Sequence, residues 1–124
     1  MDEIYLIRAE ALARLGNRDE ALNDLNTLLR TRYKKINNTS TFIDKTAPDA
    51  VAALVIILTE RRKQLLYRGL RWADLKRLNL EPSFAVTLVR IINNTRYELQ
   101  PNSNRYQLQI DAEAIRLSSM QQNP

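Results

Sequence analysis

Apolar residues in the first part of the chain recur at helical spacing. Residues 2–15 carry an apolar side chain at every third or fourth position, which predicts an amphipathic helix with one buried stripe. The stripe expected to be buried consists of Ile4, Ile7, Ala11 and Leu15, and it is widened by Tyr5, Ala9 and Leu12.

A second amphipathic helix is predicted directly after the first. Gly16 supplies a turn, Asn17 is the expected N-cap, and Glu20 would complete a capping box. The helix should run to about Tyr33, and the joint is so short that the two helices must lie antiparallel. Its expected buried residues are Ala21, Leu22, Leu25, Leu28 and Leu29.

The helix pair of residues 1–33 has the spacing of one tetratricopeptide-type repeat. A single pair is not an array, because at least about three repeats are needed to bury a continuous core. If the pair is a repeat, we expect its neighbours elsewhere in a longer protein.

Residues 34–48 are polar and rich in Asn, Thr, Ser, Asp and Pro, a composition that predicts a linker of turns. Pro48 stands where the next helix should begin. A long helix is then expected over about residues 49–68.

The central stretch, residues 60–79, joins two helical runs at Gly69. Glycine takes a positive φ without a Cβ clash, so the long helix should end there and a short one start at a new angle. On the short helix Arg71 and Asp74 are three residues apart and are expected to pair. Trp72 is expected to be the largest single anchor of the core.

The pattern changes after residue 79. Residues 86–92 are β-branched and aliphatic and residues 96–99 alternate, so Asn93–Asn94 between them predicts a hairpin turn. Residues 105–110 also alternate and predict a third strand. Three short strands bury little by themselves, so they should pack on the helices. One or two helical turns at 112–117 precede an extended polar tail.

These patterns together predict a mainly α fold. It comprises a tetratricopeptide-like helix pair, a long helix and a short helix, with a few short β-strands near the C-terminus. With 124 residues, 44% of them hydrophobic, the chain is long enough for a single domain with a core. Within residues 1–124, we expect the helix pair at 1–33, the central helices at 49–79, and the short strands and tail at 86–124.

The composition argues against catalysis. The chain contains neither Cys nor His, which removes thiolate nucleophiles, imidazole bases and the usual zinc ligands. Nothing places two carboxylates across a cleft, as a glycosidase would need. We therefore expect no enzyme activity, no catalytic residue, no metal site and no cofactor. The carboxylates that the pattern puts on solvated helix faces are Glu3, Glu10, Asp24 and Glu60.

The formal charge of +5 raises the question of nucleic acid, since basic surfaces attract phosphates. The basic residues, however, are spread among leucines along helices instead of forming a basic arm. The densest groups indicate solvated faces or helix C-terminal charges, so no nucleic-acid partner is expected. They are Arg30, Arg32, Lys34 and Lys35, then Arg61, Arg62 and Lys63.

The motifs of the central stretch and of the second half resemble the C-terminal region of the SusD/RagB family. The central motif reads Glu60-Arg61, then leucine, then Gly69-x-Arg-Trp, then Asp74-Leu-x-Arg. The resemblance runs from Ile4 to Pro124, with Asp111 where the family commonly has proline and Gln64 where glutamate is frequent. The matching positions of the second half are Tyr97, Leu99, Pro101, Asn102, Arg105, Tyr106, Ile110, Ala114, Ile115, Gln122, Asn123 and Pro124.

The resemblance implies a function in nutrient capture. Members of this family are outer-membrane lipoproteins that hold a glycan, or in some cases a peptide, at the cell surface. They serve polysaccharide utilisation by delivering the ligand to a TonB-dependent, SusC-like transporter. The chain would then be the C-terminal segment of a longer, lipid-anchored protein whose anchor lies outside this sequence. A free-standing helical-repeat adaptor that binds protein partners is the alternative.

No ligand-binding position can be carried over from the family, because its contacts vary between members. The residue types of a sugar site do occur together in the second half: Tyr97 and Tyr106, with Asn102, Asn104 and Arg105 nearby. Alternating tyrosines on short strands are more typical of packing. The ligand-binding residues are therefore left unassigned. The longest apolar run, residues 50–58, is about half of what a bilayer span needs.

Overall fold

The computed structural model describes residues 2–123 and is mainly helical, with two small antiparallel strand pairs, which confirms the predicted fold class. The described residues group into two compact units that divide after Gly69. The first unit contains α1 (Asp2–Arg14), α2 (Arg18–Arg30), β1 (Lys35–Ile36), β2 (Thr39–Ser40) and α3 (Ala50–Gln64). The second contains α4 (Arg71–Leu78), β3 (Leu88–Ile92), β4 (Thr95–Leu99), a 3-10 turn (Asn104–Tyr106) and α5 (Ala112–Ser118).

Helices α1 and α2 are antiparallel, as the short joint predicts. Asp2, at the start of α1, pairs with Arg32, just beyond the end of α2. Arg8 in the middle of α1 forms a two-pronged ion pair with Asp24, with both nitrogen–oxygen distances at 2.5 Å. The partners in these two ion pairs follow opposite orders along the chain, as antiparallel helices require. All five residues expected to be buried on α2 are buried.

The predicted buried stripe of α1 is wrong. Ile4, Ile7 and Leu15 are 68%, 53% and 77% exposed, and Ala11 is exposed too. The buried face instead consists of Leu6, Ala9, Glu10 and Ala13, of which only Ala9 had been expected. The reason is that α1 is apolar on two opposite faces, and the face with the small residues lets α2 and α3 approach closely.

Charges expected on solvated helix faces are partly buried. Glu10, Asp24 and Glu60 are all buried, and each is neutralised by a basic neighbour. Arg14 contacts Glu10 at 3.0 Å, and Lys63 contacts Glu60 at 2.8 Å. Arg61, expected to be solvated, is 7% exposed and lies 3.9 Å from Glu3. Pairing permits this burial, since an unpaired charge would be costly there.

The turn at Gly16 forms as expected, with φ +87°. Asn17 is the N-cap of α2, but its side chain makes no capping hydrogen bond, so the predicted capping box with Glu20 is wrong. The reason lies in the backbone. Asn17 has φ −83° and ψ 71°, outside the extended region from which a capping side chain reaches the first turn.

The segment predicted as a linker contains a small hairpin. Strands β1 and β2 pair antiparallel, and Asn37 and Asn38 form the turn with φ of 49° and 63°. The two asparagines have the conformation of a tight hairpin turn. The sequence prediction missed this turn because the whole segment is polar and was interpreted as a linker. The following segment is held to α2 by the Asn26 side chain, which donates to the carbonyl of Lys45 at 3.0 Å and accepts from its N–H at 2.8 Å.

Helix α3 begins after Asp49, whose carboxylate accepts from the N–H of Ala52 at 2.8 Å. It ends at Gln64, about one turn earlier than expected. Tyr67 and Gly69 then take positive φ of 62° and 75°, so the predicted glycine turn is confirmed. The described residues include no helix that is both long and apolar enough to cross a membrane.

In the second unit the predicted hairpin is confirmed. Asn93 and Asn94 have φ of 48° and 60°, and β3 pairs with β4 antiparallel. The expected packing of this hairpin on helices is not seen, because nearly all of its residues are exposed. The prediction of a third strand at 105–110 is wrong. Asn104–Tyr106 forms a 3-10 turn, and residues 107–110 pair with no strand in the described structure.

The predicted helical turns near the end form α5, whose N-cap Asp111 accepts from the N–H of Glu113 at 2.9 Å. The polar tail is anchored by its side chains. Gln122 accepts from the N–H of Ile110 at 2.8 Å and donates to its carbonyl at 3.0 Å. Asn123 donates to the carbonyl of Leu108 at 2.7 Å. Pro124, part of the closing motif, lies outside the described residues.

Candidate functional site: a cavity beside helix α4

The second unit contains a cavity of about 590 Å³ beside α4. One wall comes from α4 and the two residues that follow it. The opposite wall comes from the loop and 3-10 turn at residues 102–107. The lining residues are Ala73, Lys76, Arg77, Asn79, Leu80, Asn102, Ser103, Asn104, Tyr106 and Gln107.

Trp72 and Tyr106 fix the 3-10 turn against α4. The indole Nε1 of Trp72 donates to the backbone carbonyl of Tyr106 at 3.3 Å, and the two ring centroids are 4.8 Å apart with the planes tilted by 33°. Tyr106 is 4% exposed, whereas Trp72 is 37% exposed. The expectation that Trp72 would be the main core anchor is therefore wrong, and Tyr106 and Leu75 are the buried anchors of this unit.

Asn79 connects three parts of the site. Its side-chain oxygen accepts from the N–H of Val86 at 3.1 Å, and its backbone carbonyl accepts from the Asn102 side chain at 3.0 Å. Asn102 has a φ of 59°, a left-handed conformation that asparagine adopts more readily than most residues. The end of α4 is thus fastened both to the segment before β3 and to the loop.

Two polar atoms at this cavity have no hydrogen-bond partner within residues 2–123. They are the side-chain nitrogen of Asn79 and the hydroxyl of Tyr106. Both are buried, and leaving such a group unsatisfied costs about 1–3 kcal/mol. Both atoms are almost fully shielded from solvent, so neither offers its donor to the open part of the cavity.

The charged groups of the site belong to α4. Arg77 contacts the carboxylate of Asp74 at 3.1 Å, while Lys76 also lines the cavity. The predicted pairing of Arg71 with Asp74 stays a prediction. Within the described residues, no cluster of carboxylates could hold a metal ion. Among the lining side chains, the exposed amide of Asn104 is available for hydrogen bonds to a neutral polar group.

The structure divides the five sequence candidates between two depressions. Asn102, Asn104 and Tyr106 line the cavity beside α4. Tyr97 and Arg105 line a second depression of about 500 Å³ on the β3–β4 hairpin. Sequence reasoning missed Asn79 as a site residue. The only signal was its position at the end of the central stretch, because its partners Val86 and Asn102 lie 7 and 23 positions further along the chain.

Comparison with known proteins identifies the fold. The sequence model of the SusD family matches residues 1–124. A curated SusD-like protein of Formosa agariphila is 37% identical over 78 residues, which is 62% of this chain. A solved SusD-like protein of Bacteroides fragilis matches 98% of this chain, with a TM-score of 0.62 and 25% identity.

The chain belongs to the SusD family, which confirms the resemblance inferred from its motifs. It spans only part of its relatives' length. The match covers 16% of the Formosa protein and 24% of the Bacteroides structure.

Proposed function

We propose that this chain is the C-terminal segment of a longer nutrient-binding lipoprotein of the outer membrane. The whole protein would capture a glycan or a peptide at the cell surface and deliver it to a TonB-dependent, SusC-like transporter. The family match over residues 1–124 carries this proposal. The small share of each relative that the chain covers supports a longer protein.

Capture requires binding without bond cleavage, and the chemistry of the segment suits that task. The cavity beside α4 is lined by polar side chains, and among them Asn104 is exposed. We place a candidate contact with the captured ligand there. The free-standing adaptor is not pursued, because the family match includes the strand-bearing second half as well as the helix pair.

The first experiment is to detect the native gene product in its source cells with an antibody raised against this chain. We expect a product several times larger than 14.4 kDa that incorporates fatty acid and reacts with the antibody on intact cells. A product of about the size of this chain, without lipid and inaccessible from outside, would overturn the proposal.

The second experiment locates the ligand contact in the full gene product. Binding of glycan and peptide mixtures is measured by calorimetry for the wild type and for Asn104→Ala. The matched control is Asn23→Ala, which removes an exposed amide from α2. A lower affinity for Asn104→Ala alone supports the cavity as a contact. Equal affinities of all three proteins place the contact elsewhere.

A further inference from the structure

The two faces of the β3–β4 hairpin differ in chemistry. Arg90 on β3 lies directly across from Tyr97 on β4. Two positions further along the ladder, Leu88 lies across from Leu99. Residues that are opposite each other, or two apart on one strand, project from the same face of a sheet. These four residues therefore share one face, which we call the tyrosine face, and Glu98 belongs to the other.

The tyrosine face contributes its four residues to the depression of about 500 Å³ on the hairpin. Leu88 and Leu99 are half-buried, and Tyr97 is 50% exposed. Tyr106, by contrast, is 4% exposed. The interpretation of the tyrosines as packing residues thus holds for Tyr106 only. Tyr97 presents an accessible ring beside aliphatic side chains, the kind of surface on which a sugar ring can lie.

Two guanidinium groups complete the lining of this depression. Arg90 and Arg105 both line it, and both residues are exposed. Within residues 2–123, the Arg90 side chain has no hydrogen-bond or ion-pair partner. Arg105 donates to the backbone carbonyl of Glu98 at 3.3 Å, which fastens its side chain to β4 without neutralising its charge.

The acidic residue of the lining does not neutralise these cations. Glu98 belongs to the other face of the hairpin, where its carboxylate accepts from the Arg96 side chain at 2.6 Å and from the Gln100 side chain at 3.1 Å. The tyrosine face therefore keeps a net positive charge beside the Tyr97 ring.

This combination favours a sugar that carries a negative charge. Guanidinium groups bind planar or tetrahedral oxyanions through paired, charge-assisted hydrogen bonds. A neutral sugar would use the ring and leave both cations without a partner. An extended peptide would instead add to a strand edge through its backbone, whereas the tyrosine face offers side chains.

The depression and the cavity beside α4 border the same 3-10 turn. Asn104 and Tyr106 line the cavity, and Arg105 between them lines the depression on the hairpin. A polymeric ligand held in the cavity would thus meet the tyrosine face next. A short peptide or a single sugar would not need both.

We propose that the tyrosine face is a subsite for an acidic sugar of the captured glycan. The sugar ring stacks on Tyr97, and its carboxylate or sulfate group pairs with Arg90 and Arg105. The inference rests on the proposed function, since it takes the captured ligand to be a glycan. An acidic peptide is the competing ligand, and the test separates the two.

The test measures binding to the full gene product by calorimetry. The probes are a short oligogalacturonate, a short sulfated dextran, an unmodified dextran of similar length and an oligoglutamate. The ionic strength is about 0.15 M, so that charges further than about 8 Å from the ligand contribute little. Arg90→Gln is the test variant. Arg62→Gln, which removes the same charge from an exposed position of α3, is the matched control.

We expect at least one of the two acidic glycans to bind the wild type more tightly than dextran. Arg90→Gln should weaken that binding at least about fivefold, and Arg62→Gln less than twofold. The probe that loses affinity identifies the anionic group as a carboxylate or a sulfate. Tyr97→Ala should weaken the same probe at least about threefold, because the ring contact is lost.

Four results would overturn the proposal. The first is that neither acidic glycan binds more tightly than dextran. The second is an equal effect of Arg90→Gln and Arg62→Gln, which indicates attraction by net charge alone. The third is an unchanged affinity for Tyr97→Ala. The fourth is a loss of oligoglutamate binding in Arg90→Gln that matches or exceeds the loss for the glycans, because the site then takes an acidic peptide.

Circular dichroism verifies that each variant folds, and Arg105→Gln replaces Arg90→Gln if that variant does not. Failure of the proposed function has a different signature. A short gene product without lipid that still binds an acidic glycan through Arg90 would refute surface capture and leave the subsite standing. A long lipoprotein that captures neutral glycans equally well with Arg90→Gln would refute the subsite alone.

Discussion

The indole of Trp72 and the backbone carbonyl of Tyr106 are joined by a hydrogen bond of 3.3 Å across 34 residues of sequence. Their rings are also in contact, with centroids 4.8 Å apart. This pair fixes the 3-10 turn to α4 and so defines both walls of the cavity. Loss of the hydrogen bond or of the ring contact should destabilise the walls of the cavity before it affects the first unit.

Replacement of Trp72 by phenylalanine should lower the free energy of unfolding by about 1–2 kcal/mol, since a hydrogen bond and part of the ring contact are lost. Urea titration followed by circular dichroism measures the change. Tyr97→Phe on the exposed hairpin serves as the control and should shift the free energy by less than about 0.5 kcal/mol. An equal free energy of unfolding for Trp72→Phe and wild type would show that the contact between Trp72 and Tyr106 does not stabilise the fold.

Tyr106→Phe tests whether the buried hydroxyl has a partner in the full gene product. If the hydroxyl is unsatisfied there, as it is among the described residues, its removal should be neutral or stabilising by up to about 1 kcal/mol. The measurement is thermal unfolding of the full protein without ligand. A loss of stability would reveal a hydrogen-bond partner supplied by another segment.

Asn26→Ala should destabilise the first unit by about 1–3 kcal/mol, because it removes both hydrogen bonds to Lys45 and leaves backbone groups unsatisfied. Chemical denaturation provides the measurement. Asn23→Ala, on the exposed side of the same helix, is the matched control and should change the free energy little. Similar free energies of unfolding for the two variants would mean that water replaces the Asn26 hydrogen bonds without loss of stability.

The ion pair between Arg8 and Asp24 is asymmetric, and the two single variants should differ. Asp24 is 4% exposed, whereas the Arg8 side chain is 63% exposed. Arg8→Ala strands a buried carboxylate and should be clearly destabilising. Asp24→Ala leaves an arginine that water can solvate, and should be milder. Denaturation of both variants and of the double variant measures the coupling; a larger loss for Asp24→Ala would contradict this argument.

Glu113 should titrate at a lower pH than an ordinary glutamate. Its hydrogen bonds with the Arg116 guanidinium, at 2.9 and 2.5 Å, hold the pKa of the Glu113 carboxyl below its ordinary value. The pair's contribution to stability is therefore fully present above the pKa of unfolded chains, about 4.3, and is lost as pH falls through the lower folded value.

NMR titration of the Glu113 side chain measures this pKa directly. Arg116→Gln should raise it back toward the ordinary value, while Arg96→Gln, at an ion pair on the hairpin, should leave it unchanged. A titration of Glu113 that is identical in wild type and Arg116→Gln would refute the assignment.

The sequence was most informative where structure depends on local chemistry. Gly16 and Gly69 adopt the positive φ that their turns require, and Asn93–Asn94 forms the predicted hairpin turn. The period of α2 identified its buried face correctly because that helix is apolar on one side only. The motif order also sufficed to recognise the family.

Only the tertiary structure decided the remaining features, and the physical reason is the same for each. Helix α1 has two apolar faces, so its pattern cannot choose which one packs against α2 and α3. The alternation at residues 105–110 predicts a strand, but the contact between Trp72 and Tyr106 stabilises a 3-10 turn at its start instead. The cavity is built from residues more than twenty positions apart, such as Asn79 and Asn102. Local propensity fixed the turns and one helix face, while packing between distant segments selected the exposed face of α1 and created the site.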